Sequence, residues 1–221
     1  MNSRKRRLQR WKKGQTMNPS WLDWATRIQA IAQTGLTFAH DPYDVERYQE
    51  LREIAAEMLA AGSDAELSYI GGLFADQAGY ATPKVDVRGA LFHDDMILLV
   101  RERSDGLWTL PGGWADVGDS PAAAVEREIA EESGYQARAV RLLAFYDRNK
   151  HGHPPYPFHA YKVFFLCELT GGAAQPSGET SEVGFFREDA LPELSLTRVV
   201  PAQIVRLFEH YRHPEWPADF D

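Results

Sequence analysis

Three glutamates, Glu128, Glu131 and Glu132, fall within one five-residue stretch, downstream of a glycine pair, Gly112-Gly113. On a helix, placing Glu128 at 0° sets Glu131 at about −60° and Glu132 at about +40°, so the carboxylates share an arc of about 100° and face one volume. Like charges at these spacings cost about 0.2–0.5 kcal/mol per pair on an exposed helix, and more when partly buried, so a cation should join the cluster. Hard carboxylate oxygens without His or Cys nearby select Mg²⁺ or Mn²⁺ over zinc. A glycine pair permits close backbone approach, and a Mg²⁺ held by a few carboxylates keeps positions for phosphate oxygens and water. Together these features predict chemistry at a pyrophosphate, which metal ions neutralise and align for in-line attack while lowering the pKa of a bound water. The competing reading is a solvated acidic face; it describes Glu126, which lies near about 160° on the far side.

The element that positions the trio has clear punctuation. Ser120 or Asp119 caps it, Pro121 suits the first helical position and Gly134 supplies the left-handed residue after its end, giving a helix over about 120–133. Ala122, Val125 and Ile129 form a stripe that buries against a sheet and holds the carboxylates at its edge, with Ala124 leaving space. Arg127, four residues before Glu131, braces it by an ion pair.

Upstream, Trp21, Trp24, Ile28 and Ile31 recur at helical spacing and Gly35 is expected to end that helix. A second helix starts at Asp41-Pro42 and runs through Val45, Tyr48, Leu51, Ile54, Ala55 and Met58 to Gly62. So short a hairpin cannot bury its apolar faces alone, which predicts packing on the larger domain or a homodimer. Residues 17–67 are therefore assigned to a small helical N-terminal domain and 68–83, with Gly71-Gly72, Gly79 and Pro83, to a linker. Residues 84–213 form the main domain and 214–221 a tail. Within it 85–100 reads as a hairpin with an acidic turn at His93-Asp94-Asp95, with strands at 140–146, 161–169 and 183–186 and a helix at 198–211. That mixture gives an α/β or α+β layered fold.

The 221 residues, 44% apolar and 12% aromatic, suit one catalytic domain with a small appendage. The longest apolar runs, such as 96–100 and 163–167, fall far short of the ~18 residues that span a bilayer, so no membrane segment is expected. A single cysteine, Cys167, inside an apolar run reads as a buried hydrophobe in a reducing cytoplasm. The first sixteen residues hold seven basic groups and no acid; removing those seven from the 24 Lys and Arg leaves 17 against 32 acids, a formal charge of −15 for residues 17–221. Duplex nucleic acid is a poor partner for that body. The basic leader 1–16, expected to be disordered, is read as upstream sequence before a start at Met17 rather than as a nucleic-acid or membrane tail, and no apolar segment makes it a secretory signal.

Gly113, five residues, Asp119, seven residues, then Arg127-Glu128-Ile129-Ala130-Glu131-Glu132-Ser133-Gly134-Tyr135 resembles the Nudix box. The family pattern has Glu where Asp119 stands, a side chain one methylene longer, and an apolar residue where Tyr135 stands. Trp108 to Gly113 resembles the family's lead-in to the box. The resemblance implies an α/β/α sandwich around a mixed sheet over about 84–211. It also implies metal ligands at Glu128, Glu131, Glu132 and the Gly113 carbonyl, Arg127 as the residue that orients a carboxylate, and Glu131 or a late-loop acid, Glu182 or Glu179, as general base. The N-terminal helices and residues 79–88 resemble a subgroup that hydrolyses nucleoside diphosphates linked to another moiety X, with CDP-choline and ADP-ribose among its substrates.

Arg88, Arg101, Arg103 and Arg148 are candidate phosphate clamps, and Tyr156 or Phe158 a candidate stacking surface for a base. His151, His153 and His159 are too irregularly spaced for a tetrahedral zinc site. The expected activity is Mg²⁺-dependent or Mn²⁺-dependent hydrolysis of an X-linked nucleoside diphosphate. The alternatives are a triphosphate-cleaving sanitation enzyme and a non-catalytic nucleotide-sugar sensor.

Overall fold

The computed structural model describes residues 20–63, 65–154 and 156–221; the basic leader 1–16 and the Met17 start lie outside the described residues. Helix α1 (Ser20–Phe38) and helix α2 (Pro42–Ala61) form the expected hairpin. Asp41 caps α2, its Oδ1 accepting the Tyr43 and Asp44 N–H groups at 2.9 and 3.2 Å, with Pro42 in the first position. Gly35 does not end α1, which continues to Phe38. A Cβ there would lie 2.4 Å from Tyr48 Cδ1, so this glycine lets α2 approach rather than stopping the helix.

The stretch 68–83 is not all linker, because helix α3 (Leu67–Ala75) occupies its first part. Ile70 and Phe74, one turn apart, are buried with Leu22, Ala25, Ala55, Ala56 and Leu59. Each fully buried large apolar side chain contributes about 1.5–3 kcal/mol, which outweighs the roughly 1 kcal/mol that Gly71 and Gly72 each cost a helix. The three helices thus enclose a small core of their own.

The main domain runs β1 (Lys84–His93), β2 (Met96–Glu102), β3 (Trp108–Thr109), α4 (Pro121–Ser133), β4 (Tyr135–Asp147), β5 (Ala160–Gly172), β6 (Thr180–Phe186), α5 (Pro201–Arg212) and β7 (Asp219–Phe220). The β1–β2 hairpin turns at Asp94-Asp95, with φ of 50° and 57°, the backbone a two-residue type I′ turn requires. β1 pairs β5 in parallel, β5 pairs β4 antiparallel, and β2 takes β3 and β6 antiparallel, giving a seven-stranded mixed sheet.

Strand alternation divides the core. Val87 and Leu91 of β1 pack with Ala124, Val125 and Ile129 of α4, whereas Ala90 packs on the opposite face with Ile204, Leu207 and Phe208 of α5. The result is an α/β/α sandwich preceded by the helical region. β7 docks in parallel on β4 and Asp219 pairs with Arg206, so residues 214–221 are not a loose tail. Cys167 is buried and free, and burial pushes its thiol up to about 12.

Candidate active site

The segment after β3 runs beside β1 like an extra strand: the Gly89 N–H donates to Pro111 O at 2.9 Å, Val87 N–H to Gly113 O at 2.9 Å, and Ala115 N–H to Val85 O at 3.0 Å. Gly112 sits at φ 139°, and a Cβ on it would lie 2.0 Å from Val87 O, so no side chain fits. Its N–H points instead at α4 and donates to Glu132 Oε2 at 2.8 Å. The Gly113 carbonyl spends one lone pair on Val87 and keeps the other.

Helix α4 presents the trio as its caps and stripe dictate. Ser120 Oγ accepts the Ala123 N–H at 3.1 Å, and Gly134 closes the helix at φ 75°. Glu132 is 5% exposed, the Glu128 side chain 14% and the Glu131 side chain 59%, so the arc runs from buried floor to open rim. Burial pushes the Glu132 carboxyl up to about 8 against the opposing pull of Arg88, and burial raises Glu128 as well. Arg127 Nη1 lies 3.0 Å from both Glu128 Oε1 and Glu131 Oε2, with Asp119 and Asp116 each 3.3 Å from its other nitrogens.

The cleft, about 600 Å³, is bounded elsewhere by arginines and a loop. Arg88 is buried, donating to Asp86 Oδ1 at 2.7 Å and to Leu110 O at 3.0 Å, while Lys162 neutralises the other Asp86 oxygen. Opposite α4, Arg198 Nε lies 3.0 Å from the buried Glu102 Oε1, and its Nη1 2.9 Å from Asp105. Ser177, Gly178 and Glu179 complete the wall.

Of the sequence-predicted residues, Arg88, Gly113, Arg127, Glu128, Glu131 and Glu132 line this cleft. Glu182 does not: it stands in register with Arg101, whose Nη1 lies 2.6 Å from its Oε1, and Glu179 is the late-loop acid that lines the cleft. Arg101 is thereby committed to Glu182 and Gly106 O, and Arg103 donates to Ser177 O at 3.2 Å, bracing the loop. Tyr156 lies 4.8 Å from the Arg148 guanidinium; Phe158 packs on the helical core beneath Lys84 at 4.9 Å, and neither lines the cleft. Arg148 is buried and donates to Pro154 O and Thr197 O. The three histidines go to three different partners, Asp221, Leu196 O and Asp147.

Sequence reading missed Glu102 and Arg198. Nothing in the spacing marks them, because an acid ending a strand and an arginine before a helix are ordinary surface residues until the fold opposes them. Among the described residues no group of three or more His, Cys, Asp or Glu side chains is arranged to hold a metal ion. The donor set is all oxygen and opens onto a cleft, which suits a hard cation that completes its shell with water or phosphate oxygens.

The model of the NUDIX domain matches residues 82–208, which span this cleft from Arg88 to Arg198. The chain belongs to the Nudix family. A second model, the UDP-X-like N-terminal oligomerisation domain, matches residues 19–74 and reaches into α3. This Nudix hydrolase is 50% identical over 201 residues to the candidate ADP-ribose pyrophosphatase YjhB of Bacillus subtilis (strain 168), covering 91% of this chain and 97% of that one. Its fold is similar to the crystal structure of a UDP-X diphosphatase, at 36% identity and a TM-score of 0.60 over 91% of this chain and 98% of that one. It is also similar to that of an ADP-ribose pyrophosphatase from Streptococcus suis 89-1591, at 44% identity and a TM-score of 0.59 over 63% and 100% of the two chains. No helix among the described residues is long and apolar enough to cross a membrane.

Proposed function

We propose that this Nudix hydrolase cleaves the diphosphate of a nucleoside diphosphate linked to a second moiety X, of the ADP-ribose or UDP-X class, releasing a nucleoside monophosphate and phosphorylated X. The observation that carries this reading is the wall of the cleft made by half-buried Glu128 and by buried Glu132, which accepts the Gly112 N–H, in a cleft that Arg88 and Arg198 also line. Such a site opposes acidic oxygens that favour a cation to guanidinium groups that favour phosphate. The 50% identical relative, named for ADP-ribose, and the helical region in the same chain favour an X-linked diphosphate over a nucleoside triphosphate.

Glu128, Glu132 and Glu131, with the remaining lone pair of the Gly113 carbonyl, would hold Mg²⁺ or Mn²⁺, which when bound neutralises the diphosphate and acidifies water. Arg127 keeps Glu128 and Glu131 from moving apart. Arg88 and Arg198 donate N–H groups to phosphate oxygens and thereby orient the bridge. The Glu131 carboxylate takes the proton of the attacking water, and Glu179 on the opposite loop is the second candidate for that role. The exposed Trp24, Ile31 and Phe38 of α1 form the contact of a homodimer.

A panel of ADP-ribose, UDP-glucose, CDP-choline, diadenosine polyphosphates and nucleoside triphosphates, assayed with Mg²⁺ or Mn²⁺, tests the reading. Release of a nucleoside monophosphate and phosphorylated X from an X-linked diphosphate is expected. Turnover of triphosphates alone makes it a sanitation enzyme, and binding without turnover makes it a sensor.

A further inference from the structure

Behind Arg88 lies a buried charge cluster that is out of balance. Asp86 of β1 stands in parallel register with Lys162 of β5, and Arg88, two residues on, shares a face of β1 with Asp86. Lys162 is fully buried with its Nζ 2.5 Å from Asp86 Oδ2, and Arg88 and Asp86 are buried as well. Arg148, also buried, bonds the carbonyl oxygens of Pro154 and Thr197 and feels the charge of Asp86. Arg88, Lys162 and Arg148 thus outnumber the one carboxylate among them.

Asp86 does not need Lys162 in order to be paired. Arg88 grips it with two nitrogens, Nε donating to Oδ1 at 2.7 Å and Nη2 to Oδ2 at 3.5 Å. With Nη1 bonded to Leu110 O, two of the five guanidinium N–H groups remain for the cleft that Arg88 lines. On that side Glu132 and Glu102 also pull on Arg88; Glu102 is answered by Arg198, and Glu132 belongs to the carboxylate wall. An ammonium buried beside a carboxylate that already has a partner is costly, and burial pushes Lys162 down to about 8 in spite of Asp86. An excess of buried positive charge is relieved when an anion binds next to it.

We propose that Lys162 is a positioning residue that cancels the charge of Asp86, so that Arg88, held in place by Asp86, still offers its full positive charge to the diphosphate. This deepens the hydrolytic reading above and rests on it for the ligand. With Asp86 alone beside it, Arg88 would be the fixed half of a neutral ion pair, able to orient a phosphate oxygen and poor at attracting one. With Lys162 added, the three side chains together carry one positive charge. Close to a diphosphate and sheltered from water, that charge is worth far more than it would be on the surface. Asp86 thus supplies the aim of the guanidinium and Lys162 keeps the aim from costing the charge.

The test is calorimetric titration of the full chain, at saturating Mg²⁺, with α,β-methylene-ADP, a nucleoside diphosphate whose P–C–P bridge resists hydrolysis. Lys162→Met should weaken its binding by about tenfold or more. Lys162→Gln keeps an N–H for Asp86 and loses the charge, so it should weaken binding to a similar extent, and it carries the test if Lys162→Met does not fold. The double variant Asp86→Asn with Lys162→Met has the wild-type net charge around Arg88 and keeps an acceptor for its Nε. Its affinity should return to within about threefold of wild type, a non-additivity that only coupled charges produce. Affinity for Mn²⁺ alone should be unchanged or tighter in both single variants, because a cation gains when a positive neighbour is lost. With the X-linked diphosphate that the wild type accepts, the single variants should raise KM about tenfold and change kcat less. Single variants that bind α,β-methylene-ADP as the wild type does overturn the assignment. So does a parallel loss of α,β-methylene-ADP and Mn²⁺ affinity, the mark of a lysine that only supports the fold, and so does a double variant as weak as Lys162→Met. If the wild type cleaves no X-linked diphosphate yet α,β-methylene-ADP affinity follows the charge, the hydrolytic reading fails and the role of Lys162 stands. Turnover with both single variants at wild-type affinity sinks the role of Lys162 alone.

Discussion

Glu132 Oε2 and the Gly112 N–H meet at 2.8 Å, and this bond joins helix α4 to the loop that borders it. Glutamine retains a carbonyl acceptor for that bond but loses the charge. Glu132→Gln should therefore fold normally and lose on the order of 10² or more in kcat, since a metal's charge stabilisation is worth several kcal/mol. Titrating Mn²⁺ should raise the wild-type stability by about 2.7 kcal/mol at a hundred times Kd and do little for the variant. An unchanged rate removes Glu132 from the metal site.

Arg127 touches Glu128, Glu131, Asp119 and Asp116, and only a planar fork can serve so many oxygens. Arg127→Ala should lower activity or metal affinity by about 10-fold to 100-fold, the usual effect of losing a residue that orients ligands. Arg127→Lys should recover part of it. Metal titrations of both variants, with kcat and KM measured at saturation, check this.

His153 is 4% exposed, and burial holds its imidazole down at about 4 while its Nδ1 bonds Leu196 O at 2.8 Å. Its ordinary pKa is about 6.5, so between that value and about 4 the unfolded chain binds the extra proton. Its stabilising contribution is complete above about 6.5 and falls as pH drops, by up to about 1.4 kcal/mol per pH unit. His153→Asn keeps a donor and cannot titrate. Urea melts at pH 7 and pH 4.5 should show a smaller acid loss in the variant than in the wild type.

Arg198 Nε pairs with Glu102, which is 7% exposed and whose carboxyl is raised by burial. Removing the guanidinium strands that carboxylate, so Arg198→Ala should cost about 2 kcal/mol of stability, with weaker substrate binding as well. Adding Glu102→Gln should restore much of the stability without restoring the binding. Additive losses in the double-mutant cycle would show that the two residues do not interact.

Gly35→Ala gains helix propensity but places a methyl 2.4 Å from the Tyr48 ring. The clash should dominate, costing about 1–3 kcal/mol and loosening the α1–α2 pair. A higher melting temperature for the variant would refute the tight crossing, and size-exclusion chromatography would report any change in oligomeric state.

Helix α4 was legible because its information is local. Ser120, Pro121 and Gly134 fix its ends, and 3.6 residues per turn then dictate that Glu128, Glu131 and Glu132 share a side while Val125 and Ile129 turn inward. The layered mixture of helices and strands followed from periodicity, and the sandwich itself from the resemblance to the Nudix family. Where local signals had two meanings, the reading failed: Gly35 looks like a stop and is a packing contact, and Gly71-Gly72 looks like linker and lies in a helix held by Ile70 and Phe74.

By itself, then, the sequence determined which residues lie on one face of one helix, since that depends only on spacing and caps. It could not determine which groups approach that face from elsewhere. Arg101 and Glu182, 81 positions apart, neutralise each other because strand register makes them neighbours, and the same register leaves Glu179 at the cleft. Arg198 and Glu102 meet across it only because the chain closes on itself. Those pairings are set by sheet register and interlayer packing, which sum contributions from the whole chain and have no short-range code.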